Sequence, residues 1–364
     1  MAQLLDEIEW GECLLPARPD AAWEAEIRRR GAQVSEVDRR IAPSRWMREA
    51  GVDMAGYHPT ALTKRLFQIG VMVTSQENAC RYCYGANRAY LKILGYSEDF
   101  IRRIERDAHL AELDDKERAF IGFCRSLARS RPRPARAACE QLLAIGYSRR
   151  EVQEMALVIA IGCCYNRIST LMACPPEQGF ERMANGPLGR VIGLIARLTR
   201  PFRRDTPTSG QAASADADKL AEGPFGAVLA PLAGLPGARI MKDALEGAFA
   251  SDVLDVRTKA LIFAVIARTL DCNLCVTRAT DLLRVQGMEP QQITSALANL
   301  QAPQLPSGQA RLLPWARGTV HYDPGKIQQE TRALTTDLSE DELLEAIGVA
   351  SLANATVRLA MLHE

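Results

Sequence analysis

Ser75-Gln76-Glu77-Asn78-Ala79-Cys80-Arg81-Tyr82-Cys83 and Ala267-Arg268-Thr269-Leu270-Asp271-Cys272-Asn273-Leu274-Cys275 set the same Cys-x-x-Cys pair twice into one chain of 364 residues, 192 positions apart (80 to 272). A ladder of matches keeps that offset: Leu91 with Leu283, Gly95 with Gly287, Ile101 with Ile293 and Arg125 with Arg317. After a slip of one residue, Ser148 meets Ser339, Glu154 meets Glu345 and Arg167 meets Arg358. A chance pair of cysteines would not bring such a ladder with it, so the sequence reads as a tandem duplication. The expected modules are 1–200 and 223–364, the second degenerate, joined by a linker at 201–222. The linker is read from the small, polar, Pro/Gly/Ser-containing stretch 203–216.

Working outward, apolar residues recur at three-to-four spacing over 21–31, 61–75, 79–94, 114–129, 136–144 and 149–172. Gly95, Gly146 and several prolines punctuate these stretches, and strand-like alternation is scarce. The spacing predicts an all-α fold, with two helical modules packed as a pseudo-symmetric pair. A chain this long also exceeds one ordinary core. The apolar run Val191-Ile192-Gly193-Leu194-Ile195-Ala196 is ringed by Arg190, Arg197, Arg200, Arg203 and Arg204. It suits a helix on a membrane surface or, as the preferred expectation, a helix packed on its own module with its arginines in water.

Lys plus Arg (45) nearly cancel Asp plus Glu (44), which leaves no electrostatic footprint for nucleic acid. The acidic first residues lack the apolar core of a signal peptide, and the longest apolar run, 155–165, is too short to span a bilayer. The expectation is a cytoplasmic protein with no membrane partner. Ten cysteines in a reduced compartment point to redox or metal chemistry more than to a disulfide scaffold. Cys124, Cys163 and Cys164 lie in apolar helical runs and read as core.

Asn78 and Asp271 stand where helix N-caps would place each cysteine pair in a first turn. Partial positive charge at a helix start lowers a thiol's pKa, and three-residue spacing sets both sulfurs on one face. Such a pair suits a thiol that attacks and a neighbour that resolves. Half of a zinc site is the competing chemistry, but His58, His109, His321 and His363 show no ligand spacing to either pair. A buried, inert pair is the other alternative, and no cofactor is predicted.

These residues resemble the carboxymuconolactone decarboxylase superfamily, in its alkylhydroperoxidase-like branch. The carriers are the two quoted stretches, then Asp115-Lys116-Glu117-Arg118-Ala119-Phe120 and Tyr165-Asn166-Arg167, and in the second half Trp315-Ala316-Arg317 and Ser351-Leu352-Ala353-Asn354 leading to Arg358. The likeness covers about 20–180 and 222–364. It implies helical modules that assemble into closed homo-oligomers. It also implies Cys83 as the thiol that attacks a hydroperoxide and Cys80 as its resolver. The family's proton-relaying Glu and His fall at Gln68 and Asn87, and in the second module at Ala260 and Ala279. Neither amide takes up a proton near neutral pH, and general-base help is worth about a hundred- to ten-thousandfold in rate. Glu77 is a substitute base or an exposed helix-start carboxylate; alternatively the thiolate needs no base. Arg81, Tyr82 and Arg88 flank the pair and suit the orienting of an anionic substrate, with a solvated helix face as the alternative for Arg81 and Arg88. Arg167 and Arg358 are expected to pack, or to pair with a buried carboxylate.

The favoured function is a thiol-dependent oxidoreductase reducing a hydroperoxide or disulfide through Cys83 and Cys80, recycled by a reductant protein or thiol. One alternative is an enzyme acting on a small metabolite, with Gln68 and Asn87 binding rather than moving protons. The other is a non-catalytic redox, metal-holding or scaffold protein. The second module is expected to act as a scaffold, which leaves its pair Cys272 and Cys275 without a role, and copper or another thiophilic metal at either pair stays open.

Overall fold

The computed structural model describes residues 2–199 and 217–364, so the linker stretch 203–216 lies outside the described residues. Helix follows helix, and no strand forms among the described residues. Ala21–Arg29, Glu36–Ile41 and Arg45–Ala55 are α1 to α3; Lys64–Glu77, Arg81–Ile93 and Glu98–Arg106 are α4 to α6. Asp115–Arg129, Arg136–Ala144 and Arg149–Leu171 are α7 to α9, followed by α10 (Gln178–Asn185) and α11 (Pro187–Thr199). Beyond the gap come α12 (Ala217–Ala221), α13 (Gly226–Leu229), α14 (Pro236–Ala250), α15 (Val256–Thr269) and α16 (Asn273–Val285). The chain ends with α17 (Pro290–Asn299), α18 (Ser307–Ala310), α19 (Leu312–Gly318), α20 (Pro324–Arg332) and α21 (Glu340–Met361). Helix α12 falls inside the expected linker, whose last residues are therefore ordered as helix rather than free.

Two helices that are apolar all round form the centre, as such helices must. These are α9 and α21, packed against each other, and every residue of α21 from Leu343 to Met361 is buried. Helix α21 is long and apolar enough to cross a membrane by composition, yet its apolar window is wholly covered by protein. Around α9 lie α4, α5 and α7; around α21 lie α15, α14 and α16. One continuous cluster of buried apolar side chains runs from Ile8 to Leu362. Helix α14 crosses α3 closely because Gly247 faces Trp46: an added Cβ would lie 2.6 Å from the Trp46 Cβ.

Helix α11 departs from expectation. It lies on α5 through Gly193, whose missing side chain would stand 2.7 Å from the Lys92 carbonyl oxygen, and Gly189 packs against the end of α10. Its large apolar residues point away from the module: Leu188, Val191, Leu194, Ile195 and Leu198 are each more than half exposed. Small residues allow the close approach, and the wide apolar stripe is what remains outside.

Candidate functional site

Helix α4 closes at Asn78, whose N–H bonds to the carbonyl oxygens of Thr74 and Gln76. Ala79 turns into the left-handed region (φ 45°), and Cys80 itself, not Asn78, caps α5. The Cys80 sulfur accepts the backbone N–H of Cys83 at 3.3 Å. At the second pair, Asp271 is the left-handed residue (φ 56°) and Cys272 the cap of α16. The two expected N-caps are thus displaced by two positions at Asn78 and one at Asp271. In the first case the reason is visible: the Asn78 side chain is drawn inward and cannot turn to the helix end.

That inward turn starts a chain of neutral hydrogen bonds behind the cysteines. Asn78 Nδ2 donates to Asn166 Oδ1 at 3.0 Å and to Cys163 Sγ at 3.4 Å. Asn166 Nδ2 donates to Ser75 Oγ at 3.1 Å, and Asn87 Nδ2 reaches the same oxygen at 3.1 Å. Ser75 passes its own hydrogen to the Val71 carbonyl at 2.8 Å. Asn87 is therefore tied into the site through Ser75, while Gln68 is buried on α4 two turns earlier. Amides and hydroxyls in this arrangement hold geometry and donate hydrogen bonds; they do not accept a proton at neutral pH.

All ten cysteines are free thiols. Cys80 is fully buried and Cys83 is 6% exposed. Burial pushes the Cys80 thiol well up, and its hydrogen bond to Cys83 pushes the same way. Burial alone would raise Cys83 too, but hydrogen bonds from Cys80, Ser169 and Asn166 outweigh it and leave Cys83 lowered. Ser169 Oγ lies 3.6 Å from the Cys83 sulfur and 2.9 Å from the Tyr165 carbonyl oxygen. Its hydroxyl hydrogen can thus turn from carbonyl to sulfur as a thiolate forms.

The charged neighbours are spoken for. Glu77, at the end of α4, is buried to 1% side-chain exposure between Arg125 and Arg129. It is neither an exposed helix-start carboxylate nor an uncommitted base. Arg81 makes a two-point ion pair with Glu181 at 2.8 and 3.0 Å, and Arg88 pairs with Glu105 at 2.7 Å and with Glu98. Tyr82 donates to Glu177 at 3.0 Å. These side chains fasten α10 and α6 to α5, and their ion pairs leave neither arginine open to a substrate. Arg167 and Arg358 are buried without any carboxylate partner among the described residues; both donate to the Val320 carbonyl oxygen, at 3.0 and 3.4 Å.

The second pair is fully buried and its polarity is reversed. Cys272 is lowered, chiefly by a hydrogen bond from Cys275, while Cys275 is raised by the same bond and by burial. A carboxylate already occupies this helix start: Glu364 Oε1 accepts the Leu274 N–H at 2.6 Å and lies 3.6 Å from the Cys272 sulfur. Among the described residues no group of three or more His, Cys, Asp or Glu is arranged to hold a metal.

The sequence did not single out Ser75, Ser169 or Tyr322, whose hydroxyl donates to the Asn78 carbonyl oxygen at 2.9 Å. It also gave no sign of Cys13, half-buried, which accepts from Arg40 Nε at 2.9 Å. Only the place of Asn166 beside the repeated Arg167 on the late helix was a usable signal. Set against known protein families, curated proteins and solved structures, the chain shows no significant match.

Proposed function

We propose that the chain is a dithiol oxidoreductase in which Cys83 attacks and Cys80 resolves. The observation that carries this is the asymmetry of the pair, with Cys83 lowered and slightly exposed and Cys80 raised and enclosed. The Cys83 thiolate attacks the distal oxygen of a hydroperoxide; the O–O bond breaks, an alcohol leaves with one proton, and Cys83 becomes a sulfenic acid. The Cys80 thiol then displaces that oxygen as water and forms the Cys80–Cys83 disulfide. With a disulfide substrate, the first step instead gives a mixed disulfide and releases a thiol. Two electrons from an external thiol or reductant protein restore the pair. Asn87 and Ser75 act in this scheme as positioning residues, and proton movement falls to the substrate and water.

The same proposal includes two tandem helical modules at 1–200 and 223–364, the second serving as scaffold. Support comes from a repeated local design: a helix end, a left-handed residue and a cysteine cap occur at 78–80 and again at 270–272. A cytoplasmic, homo-oligomeric protein with no nucleic-acid or membrane partner belongs to it as well. The nearly complete burial of both sulfurs favours a second reading, a non-catalytic scaffold with inert thiols.

Peptide-resolved mass spectrometry of all ten cysteines, after brief exposure of reduced, metal-free protein to a small excess of hydroperoxide, separates the two. Rapid, selective formation of the Cys80–Cys83 disulfide, abolished by Cys83→Ser, is the expected result. If those thiols react no faster than Cys13 or Cys139, the scaffold stands and the oxidoreductase falls.

A further inference from the structure

Arg167 on α9 is 1% exposed and Arg358 on α21 is fully buried. Arg167 donates to Thr319 O at 3.0 Å, Asn78 Oδ1 and Cys163 O at 3.2 Å each, and Val320 O at 3.0 Å. Arg358 donates to Ala128 O, Asn354 O and Oδ1, and the same Val320 O. Every acceptor is a neutral oxygen, and no ion pair forms at either guanidinium among the described residues. Two like charges meeting at one carbonyl without a counter-ion are a costly arrangement in a protein interior. Burial and the facing Arg167 push Arg358 down to about 9, which still leaves it cationic at neutral pH.

A cavity of about 370 Å³ opens beside them, with Arg167 in its wall. Its ionisable lining includes Glu77, Arg129, Arg131, Arg167, His321 and Asp323. Glu77 is already held by Arg125 and Arg129, and Asp323 caps α20 by accepting the Lys326 N–H at 3.1 Å. Arg131 is exposed at the rim and has no carboxylate partner among the described residues. Counting Arg125 and Arg358 just behind the wall, five guanidiniums face two carboxylates, in a chain whose formal net charge is only +1. The Tyr322 ring, 5.3 Å from the Arg167 guanidinium, forms an aromatic side to the same space.

We propose that this cavity is a binding site for a small anion bearing a carboxylate or phosphate group, seated on Arg167 and Arg131 and supplying the missing counter-charge. Four of the five Arg167 N–H donors are spent on those neutral oxygens, so it offers the fifth, while the planar Arg131 guanidinium offers paired donors to either oxyanion. The cavity holds a small metabolite and no more, and the aromatic ring gives an apolar body a place to lie. The site stands whether or not the Cys80–Cys83 pair turns over a substrate: Arg167 and Arg131 take no part in the thiol steps, and Asn78 is a wall residue the two sites share.

The test is calorimetric titration of the full chain with inorganic phosphate and, separately, with malonate, at ionic strength fixed by chloride. Saturable binding in the millimolar range or tighter is expected for at least one. Stronger binding of phosphate assigns the site to phosphoryl ligands, and stronger binding of malonate to carboxylates. Arg131→Gln, an exposed change that leaves the core alone, should weaken binding about tenfold, as expected for losing one charge-assisted contact. The same change at exposed Arg239 should do nothing. His321 gives an independent reading by NMR: burial and the charges of Arg358, Arg167 and Arg131 press its pKa down to about 4, and a seated anion should raise it. Absence of saturable binding by both anions, an R131Q affinity equal to wild type, or an unmoved His321 titration would overturn the proposal.

Discussion

Ser169 and Cys83 sit 3.6 Å apart, and the hydroxyl is one of three groups that offset the cost of charging a buried sulfur. Ser169→Ala removes one donor and leaves burial unchanged, so the Cys83 pKa should rise. At neutral pH the thiolate fraction then falls, and the rate of iodoacetamide labelling at Cys83 should drop several-fold, with its onset moved to higher pH. Peptide-resolved labelling across a pH series measures this; an unchanged profile would show that the hydroxyl stays on the Tyr165 carbonyl. His321 carries a second pH effect. Its folded pKa, about 4, lies below the ordinary 6.5, so the unfolded chain binds the extra proton first. Stability should be lost as pH falls from about 6.5 to about 4, the range between the two values. His321→Asn should flatten that part of a melting-temperature curve taken in chloride, and a curve identical to wild type would refute the assignment.

At the scale of elements, the two central helices each carry a buried carboxylate one turn in, and each locks its helix to a different neighbour. Glu154 on α9 accepts Tyr57 Oη at 2.7 Å and the backbone N–H groups of Thr60, Ala61 and Leu62, so it stitches the segment before α4 to the core. Glu154→Gln turns an amide donor toward those N–H groups and should cost about 2–3 kcal/mol in urea unfolding. Glu345 on α21 pairs with Lys259 on α15 at 3.3 Å and accepts Trp46 Nε1 from α3 at 2.7 Å. Lys259→Met alone leaves a charged carboxylate in the interior and should cost about 3–5 kcal/mol; adding Glu345→Leu should recover much of it. If the double variant is no more stable than the single, the buried charge is not the source of the loss. The matched positions of Glu154 and Glu345 were legible in the sequence, and so were the spans of α7 to α9, because apolar spacing and capping are local. What each glutamate meets was not legible, because the partners lie 86 to 299 residues away. The cap at Cys80 escaped for the same reason: whether Asn78 turns outward to a helix end or inward depends on Asn166, far along the chain.

At the scale of the molecule, the expected duplication and the observed core bear differently on assembly. The apolar cluster runs through both halves, so α9 and α21 already cover each other and need no second chain. The one large apolar face left outside among the described helices is on α11, where Leu188, Val191, Leu194, Ile195 and Leu198 are 55–64% exposed. Exposed apolar patches of this kind mark interaction surfaces, and a stripe along one helix can pair with its own copy about a two-fold axis. This is the face on which the proposed homo-oligomer would form. Sequence patterning located the stripe but assigned it inward, because periodicity gives the face of a helix and not its direction. Leu194→Glu with Leu198→Glu keeps helix propensity and leaves the glycine contact on α5 in place. Light scattering on the eluting protein should give a multiple of the chain mass for the wild type and a single chain for the double variant. A wild type that already elutes as one chain, or a variant that keeps the assembled mass, would take α11 out of the interface and leave its apolar stripe to some other partner.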